Sequence, residues 1–416
     1  MRILVTTFGT RGDVQPYVAL GGALTGRGHD VTLAAPEAFR ETAEGVGVRV
    51  HPAGSRMLTM LQDVMPELSG ARDALRTLGV MREAMREHID EQWDAAQAAH
   101  PEVIVYHPKC LAGPHMAEAL GVPGVLSLPL PFSTPTRAFP LPLLGNASLP
   151  GWANRLSYTL ARATTILYGR VINDFRRRVG LGAIGRLADP LRNPDGSPVT
   201  VLYPYSRHVV PVPTDFPPSA HVTGYWFLPY DPAWRPDVRL VDFLAAGEPP
   251  VYVGFGSMGF GKGADERRDA VLRALAAHRL RGVVATGWGG LTAGDAPSDD
   301  VLVVDAVPHD WLFDRVAAVV HHGGAGSTAA GLRAGKPSLV CPFLGDQPFW
   351  GARVHALGAG PAPLPARKLA AGLTERLGDL VRSPEYRPRA ADVGERIRGE
   401  DGLGRGVAAI EACVRT

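Results

Sequence analysis

The chain has 416 residues, 45% of them hydrophobic, and its 43 Lys and Arg nearly balance its 41 Asp and Glu, leaving a net charge of +2. That length supports two hydrophobic cores, while the near-neutral charge argues against a nucleic-acid binder, which concentrates basic residues on one face. Three scattered cysteines, Cys110, Cys341 and Cys413, exclude a disulfide framework or a zinc site and fit a reducing cytoplasm, and no run approaches ~18 apolar residues, so no transmembrane helix is expected.

The first residues, MRILVTTFG, enter a strand at 3–7 without the apolar core of a signal peptide. A helix is expected over 15–27, with Pro16 in its first turn, and a second strand over 30–34. Helical periodicity runs through 71–99, a strand returns at 103–106, and a helix follows around His115. Strands alternating with helices predict a parallel, doubly wound sheet. Residues 128–152 crowd proline with apolar side chains and precede a helical stretch carrying Arg176, Arg177 and Arg178. The stretch 206–236, rich in proline and aromatics, reads as an interdomain connection. Alternation then resumes, with a helix near Leu240, a strand over 250–255, a helix over 265–277 and strands at Val283 and Val301. The expected division is a first Rossmann-like domain over 1–205, a linker over 206–236, a second Rossmann-like domain over 237–390, and C-terminal helices over 391–416.

Residues 316–347 carry the most chemistry. An apolar run at 316–320 predicts a buried strand, followed by His321 and His322, and then Gly323, Gly324, Ala325 and Gly326 open a helix. A strand ending in a Gly-rich turn presents a helix N-terminus, whose unsatisfied N–H groups and dipole favour phosphate. His322 and Ser327 flank that turn as further donors. His321 points to the opposite face of a continuing strand and receives no role. A strand at 337–340 then leads to Asp346 and Gln347, a carboxylate beside an amide that suits vicinal sugar hydroxyls. Each residue has a plainer use: His322 in a core, and Ser327, Asp346 and Gln347 as helix caps. Gly254 to Gly259 match G-x-G-x-x-G after a strand, yet no acid stands about 20 residues on. A tight turn whose Ser257 reaches a diphosphate fits better than a dinucleotide site.

Five motifs together resemble the donor-binding and catalytic signature of family 1 glycosyltransferases of GT-B fold: GTRGDVQPYVALGGAL (9–24), FGSM (255–258), TGWGG (286–290), VPHDWLF (307–313) and HHGGAGST with GDQ (321–347). The chain resembles actinomycete enzymes of glycopeptide and polyketide natural products and sterol glucosyltransferases. The resemblance implies two Rossmann-like domains facing across a cleft, a C-terminal helix crossing back onto the first, and a UDP- or dTDP-linked sugar as co-substrate. It implies that Asp13 is the general base, although the same side chain could merely cap its helix. Gly12, Ser257, Val307, His322, Gly324, Ala325, Gly326, Ser327, Asp346 and Gln347 form the expected donor-binding set. Val307 takes the base-binding position; where plant relatives place a tryptophan just before it, this chain has Ala306, so Trp288 is a substitute stacking partner or a structural residue.

No Asp-x-Asp motif or clustered His and Cys ligands are present, so no metal or other cofactor is expected. The predicted reaction is a single inverting displacement, assembled by closure about 206–236. Residues 57–65 and 128–152 would line an apolar pocket for a hydrophobic, hydroxylated acceptor. The protein is expected to be a monomer or weak dimer that binds neither nucleic acid nor membrane interior. A nucleotide-sugar epimerase, a nicotinamide dehydrogenase, a sterol or lipid glucosyltransferase and a noncatalytic nucleotide-sugar-binding partner protein are the alternatives.

Overall fold

A computed structural model describes residues 1–63, 71–145, 147–185, 188–256, 263–287 and 298–415. Its strands are β1 (Arg2–Thr6), β2 (Asp30–Ala35), β3 (Arg49–Pro52), β4 (Val103–Tyr106), β5 (Gly124–Ser127), β6 (Thr200–Tyr203), β7 (Ala220–Val222), β8 (Val251–Gly254), β9 (Gly282–Ala285), β10 (Val301–Val304), β11 (Ala318–His321) and β12 (Ser338–Val340). Among the described residues they form two sheets, ordered β3-β2-β1-β4-β5-β6-β7 and β10-β9-β8-β11-β12. Every pairing between these strands is parallel, with Ile3 opposite Val31 and Val103, and Val320 opposite Val253 and Leu339. Short runs such as VIVY and VYVG are buried at every position, as strands covered by helices on both faces must be.

Each sheet reverses its strand order once along the chain, between β1 and β4 in the first and between β8 and β11 in the second. Loops leaving the carboxyl ends of the two strands diverge there, and ligands of open α/β sheets collect in the resulting crevice. Both reversals fall where the sequence motifs lie. The two-domain α/β expectation therefore holds, and the described motif residues sit on strand-end loops or in the first turns of the helices that follow.

Two local readings differ from the structure. The first helix runs Arg11–Gly26, starting about one turn before the apolar periodicity does. The cause is a reciprocal cap: the Thr10 amide donates to Asp13 Oδ2 at 3.0 Å, fixing the first turn without any apolar residue. The stretch 206–236 contains β7, which pairs Ala220, His221 and Val222 with Val201, Leu202 and Tyr203. Part of the expected connection thus belongs to the first sheet; three residues after Pro217-Pro218 are too short to show alternation.

The domains share apolar packing. One buried cluster runs from Leu4, Tyr106 and Phe175 of the first domain to Trp350, Val354 and Ala390 of the second. Phe139 packs against Phe349, and Arg353 Nε donates to the Val209 carbonyl at 2.8 Å. The Gly402–Arg415 helix lies on the first domain, where Val407 and Ile410 are buried with Val18 and Leu20. Its start is fixed by Trp226, whose Nε1 donates to the Gly402 carbonyl at 3.0 Å. A methyl group on Gly402 would come within 2.3 Å of the Tyr225 carbonyl oxygen. Gly402→Ala is therefore expected to destabilise the protein by about 1–3 kcal/mol, as overpacking does, measured as a lower urea midpoint at unchanged slope.

Candidate active site

Asp13 is the third residue of the Arg11–Gly26 helix, just beyond the carboxyl end of β1. Its carboxylate accepts from the Thr10 amide at 3.0 Å and, through Oδ1, from Lys109 Nζ at 2.5 Å. Lys109 stands three residues beyond β4, so the ion pair joins the two loops that diverge at the strand-order reversal. Gly9 makes room: its φ is +132°, and a Cβ there would lie 2.2 Å from Asp13 Oδ2. Burial pushes the Asp13 carboxyl up, but the Lys109 charge and the hydrogen bonds from Lys109 and Thr10 outweigh it, and the net shift is downward. His107, also buried and facing Lys109, is driven down to about 3 and stays neutral. Gly12 is exposed, with open space around its α-carbon.

Across the cleft, the turn after β11 brings His322 to the opening of the Ala325–Arg333 helix. The first helical bond is Thr328 N to the Gly324 carbonyl at 3.0 Å. The amides of Ala325, Gly326 and Ser327 therefore have no acceptor within the helix. The His322 ring lies against this turn, and a Cβ on Gly324 would come within 2.5 Å of its Nε2. Burial lowers the His322 pKa to about 4, and its buried Nδ1 has no hydrogen-bond partner. A neutral imidazole with an unpartnered nitrogen thus stands beside three free amides. His321 is different: its ring is buried and its Nδ1 accepts from the Gly323 amide at 3.0 Å, which shapes the turn.

Asp346 and Gln347 follow β12 at the start of the Gln347–Ala356 helix. Asp346 Oδ2 accepts from Trp350 Nε1 at 2.7 Å, and the fully buried Trp350 fixes the carboxylate. Gln347 is buried, and its Oε1 accepts from the Phe343 and Leu344 amides at 2.7 and 3.2 Å. That oxygen braces the loop, so only the amide nitrogen of Gln347 is left to meet a ligand. Burial, with the Asp13 charge as a lesser cause, raises the Asp346 pKa, while Lys109 acts in the opposite sense. The charge of Arg11 likewise reaches Tyr252 and His309 of the second domain. The two strand-order reversals therefore face each other at electrostatic range.

Val307 is buried in the second core, and His309, two residues on, stacks on Phe313 at 4.4 Å and meets Tyr252 Oη at 3.3 Å. Ser257 and Trp288 lie outside the described residues. Among the described residues no three His, Cys, Asp or Glu side chains gather as a metal-holding group. No described helix is long and apolar enough to cross a membrane. Met57, Leu58, Leu128 and Leu141 are core residues, whereas Leu143, Leu144, Leu149 and Trp152 stand exposed; the side chains of 61–65 lie outside the described residues.

Residues 3–140 match the glycosyltransferase family 28 N-terminal domain, and residues 291–400 match the C-terminal domain of the erythromycin biosynthesis protein CIII-like family. The chain is 36% identical, over its whole length and 98% of the relative's, to O-mycaminosyltylonolide 6-deoxyallosyltransferase of Streptomyces fradiae. The chain belongs to the GT-B glycosyltransferases. This GT-B chain is also 34% identical, across 98% of its residues, to a sterol 3-beta-glucosyltransferase of Arabidopsis thaliana, of which it spans 65%. Similar solved structures include the glycosyltransferase of kitacinnamycin, at 18% identity and a TM-score of 0.73, covering 99% of this chain and 98% of that one. VinC in complex with dTDP matches over the full length of both chains, at 21% identity and a TM-score of 0.68. These likenesses support the GT-B fold read from the sequence motifs.

Lys109 and Trp350 were not singled out by sequence. In Lys109→Met the main downward influence on Asp13 disappears while burial remains. The Asp13 pKa is then expected to rise, which carboxyl carbon NMR titration of wild type and variant would show.

Proposed function

We propose that the protein is an inverting, metal-independent glycosyltransferase that moves a hexose from a UDP- or dTDP-sugar to a hydroxyl of a lipophilic natural-product-type acceptor, with Asp13 as general base. The observation that supports it most is the opposition of Asp13 and Lys109, at one strand-order reversal, to His322, the free amides of 325–327 and Asp346 at the other. The acceptor oxygen forms its bond to the anomeric carbon as its proton passes to Asp13. The bond from that carbon to the diphosphate breaks, and the leaving oxygen takes the electron pair. The amides, His322 and Ser327 meet the growing negative charge. Asp346 and the Gln347 amide nitrogen are assigned to the sugar hydroxyls, and Gly12 to the cleft face of the donor.

A carboxylate held low by Lys109 is a weak base toward a free alcohol. The hydroxyl acidifies steeply as its C–O bond forms, so an ionised acceptor of protons with fixed geometry suffices. Lys109 acts here as a positioning residue that keeps Asp13 charged. The donor assignment agrees with the dTDP named for VinC. The S. fradiae relative supports a macrolide-like acceptor by its matching length, and the Arabidopsis relative supports a sterol as second reading. Three unpaired cysteines, two of them buried, support a cytoplasmic setting.

Asp13→Asn is expected to lower kcat by about 10²–10⁴-fold while leaving donor affinity nearly unchanged, read by acceptor-dependent release of nucleoside diphosphate and by calorimetry; wild-type turnover would remove Asp13 as base. Turnover is expected to be the same in EDTA as in magnesium, and loss of activity in EDTA would contradict a metal-free reaction. Asp13 is held below the usual carboxylate range and ionises below neutrality, and His322, shifted down to about 4, is already neutral. The kcat/KM profile should therefore show no inflection at the ordinary histidine value of about 6.5; one that His322→Gln removes would show that His322 titrates normally.

A further inference from the structure

The stretch 151–160 turns apolar side chains outward. In the Gly151–Ser157 helix, Trp152 is 69% and Leu156 58% exposed, and Leu160, four residues on, is 55% exposed. Asn154, Ser157 and Tyr158 of the same turns face inward, while Arg155 and Thr159 are exposed. Asn154 Nδ2 donates to the Arg137 carbonyl at 2.9 Å, Ser157 Oγ accepts from the Leu141 amide at 2.8 Å, and Tyr158 is buried. Hydrogen bonds on the polar side thus hold the apolar side out. The Ala163–Arg178 helix continues the pattern, with Ile166 and Leu167 exposed while Val171, Ile172 and Phe175 fill the core. Exposed apolar residues grouped in this way mark an interaction surface.

Charge says what covers it. Between Glu118 and Asp174 the sequence has no Asp or Glu and four arginines, Arg137, Arg155, Arg162 and Arg170; Asp215 pairs with Arg155 at 3.6 Å, so Arg137 and Arg170 carry the net positive charge of the described face. Arg137 packs against Gly151 at the start of the helix that carries Trp152, and exposed Arg170 lies one turn beyond Ile166 and Leu167. A second copy docking through the same face would set arginine against arginine, because a two-fold interface is self-complementary. An anionic bilayer surface suits both features, since apolar side chains enter the interface and guanidinium groups meet lipid phosphates. The surface adjoins the cleft: Phe139 packs on Phe349, and Gly145 approaches Pro348 beside Gln347.

We propose that the face bearing Trp152, Leu156, Leu160 and Ile166 docks on an anionic lipid surface, placing the cleft rim at the bilayer where a lipophilic acceptor dissolves. Docking itself does not depend on the reaction assigned to the cleft. The test is sedimentation with phosphatidylcholine vesicles, with and without 30 mol% phosphatidylglycerol, alongside sedimentation velocity without lipid. Binding to the anionic vesicles alone is expected, weakened by salt. A folded Trp152→Glu/Leu156→Glu variant should lose about tenfold or more in partition, and Arg170→Ala about fivefold. Absent binding, equal binding to neutral vesicles, or undiminished binding by both variants would overturn the proposal. So would a lipid-free dimer that the double variant dissolves, which would assign the face to a second copy instead.

Discussion

The salt bridge between Asp13 and Lys109 is the point on which the site turns. It closes across two loops that leave neighbouring strands in opposite directions. Two effects oppose each other at Asp13: burial favours the neutral acid, and the ammonium, with two hydrogen bonds, favours the carboxylate. The charged form wins. At Asp346, with Trp350 as its one side-chain donor, burial wins and the shift is upward. Two carboxylates on opposite sides of one cleft are therefore pushed apart in acidity, as groups with different tasks require.

The second domain solves a different problem. It must receive negative charge, and it does so with dipoles and neutral groups. The Gly-rich turn exposes amides, and burial strips His322 of its proton, so it can donate without bringing a fixed cation. A buried Nδ1 with no partner in the protein is costly. Such a cost is borne where a ligand completes the network.

Much of this was readable before the structure. The buried strands announced themselves as apolar runs, and the Gly-rich turn after 316–320 fell where a helix N-terminus was expected. Asp13 turned out to be both a helix cap and a partner of Lys109, so the plainer reading and the chemical one coexist in one side chain. Lys109 was hidden because its partner lies 96 residues away, and no local pattern encodes a contact between loops of β1 and β4. Trp350 was hidden because an indole four residues after a carboxylate reads as core. Gln347 was legible as an amide in the right place, but not its use in bracing the loop, which depends on how β12 ends. β7 was missed because three residues cannot show a period.

The most direct test is a crystal structure with UDP or dTDP bound. The account predicts the β-phosphate within about 2.7–3.2 Å of the 325–327 amides and of His322, with the side of the cleft that holds Asp13 and Lys109 facing the leaving oxygen. A diphosphate seated away from that helix N-terminus, or one whose leaving oxygen points away from the side of the cleft that holds Asp13, would contradict it.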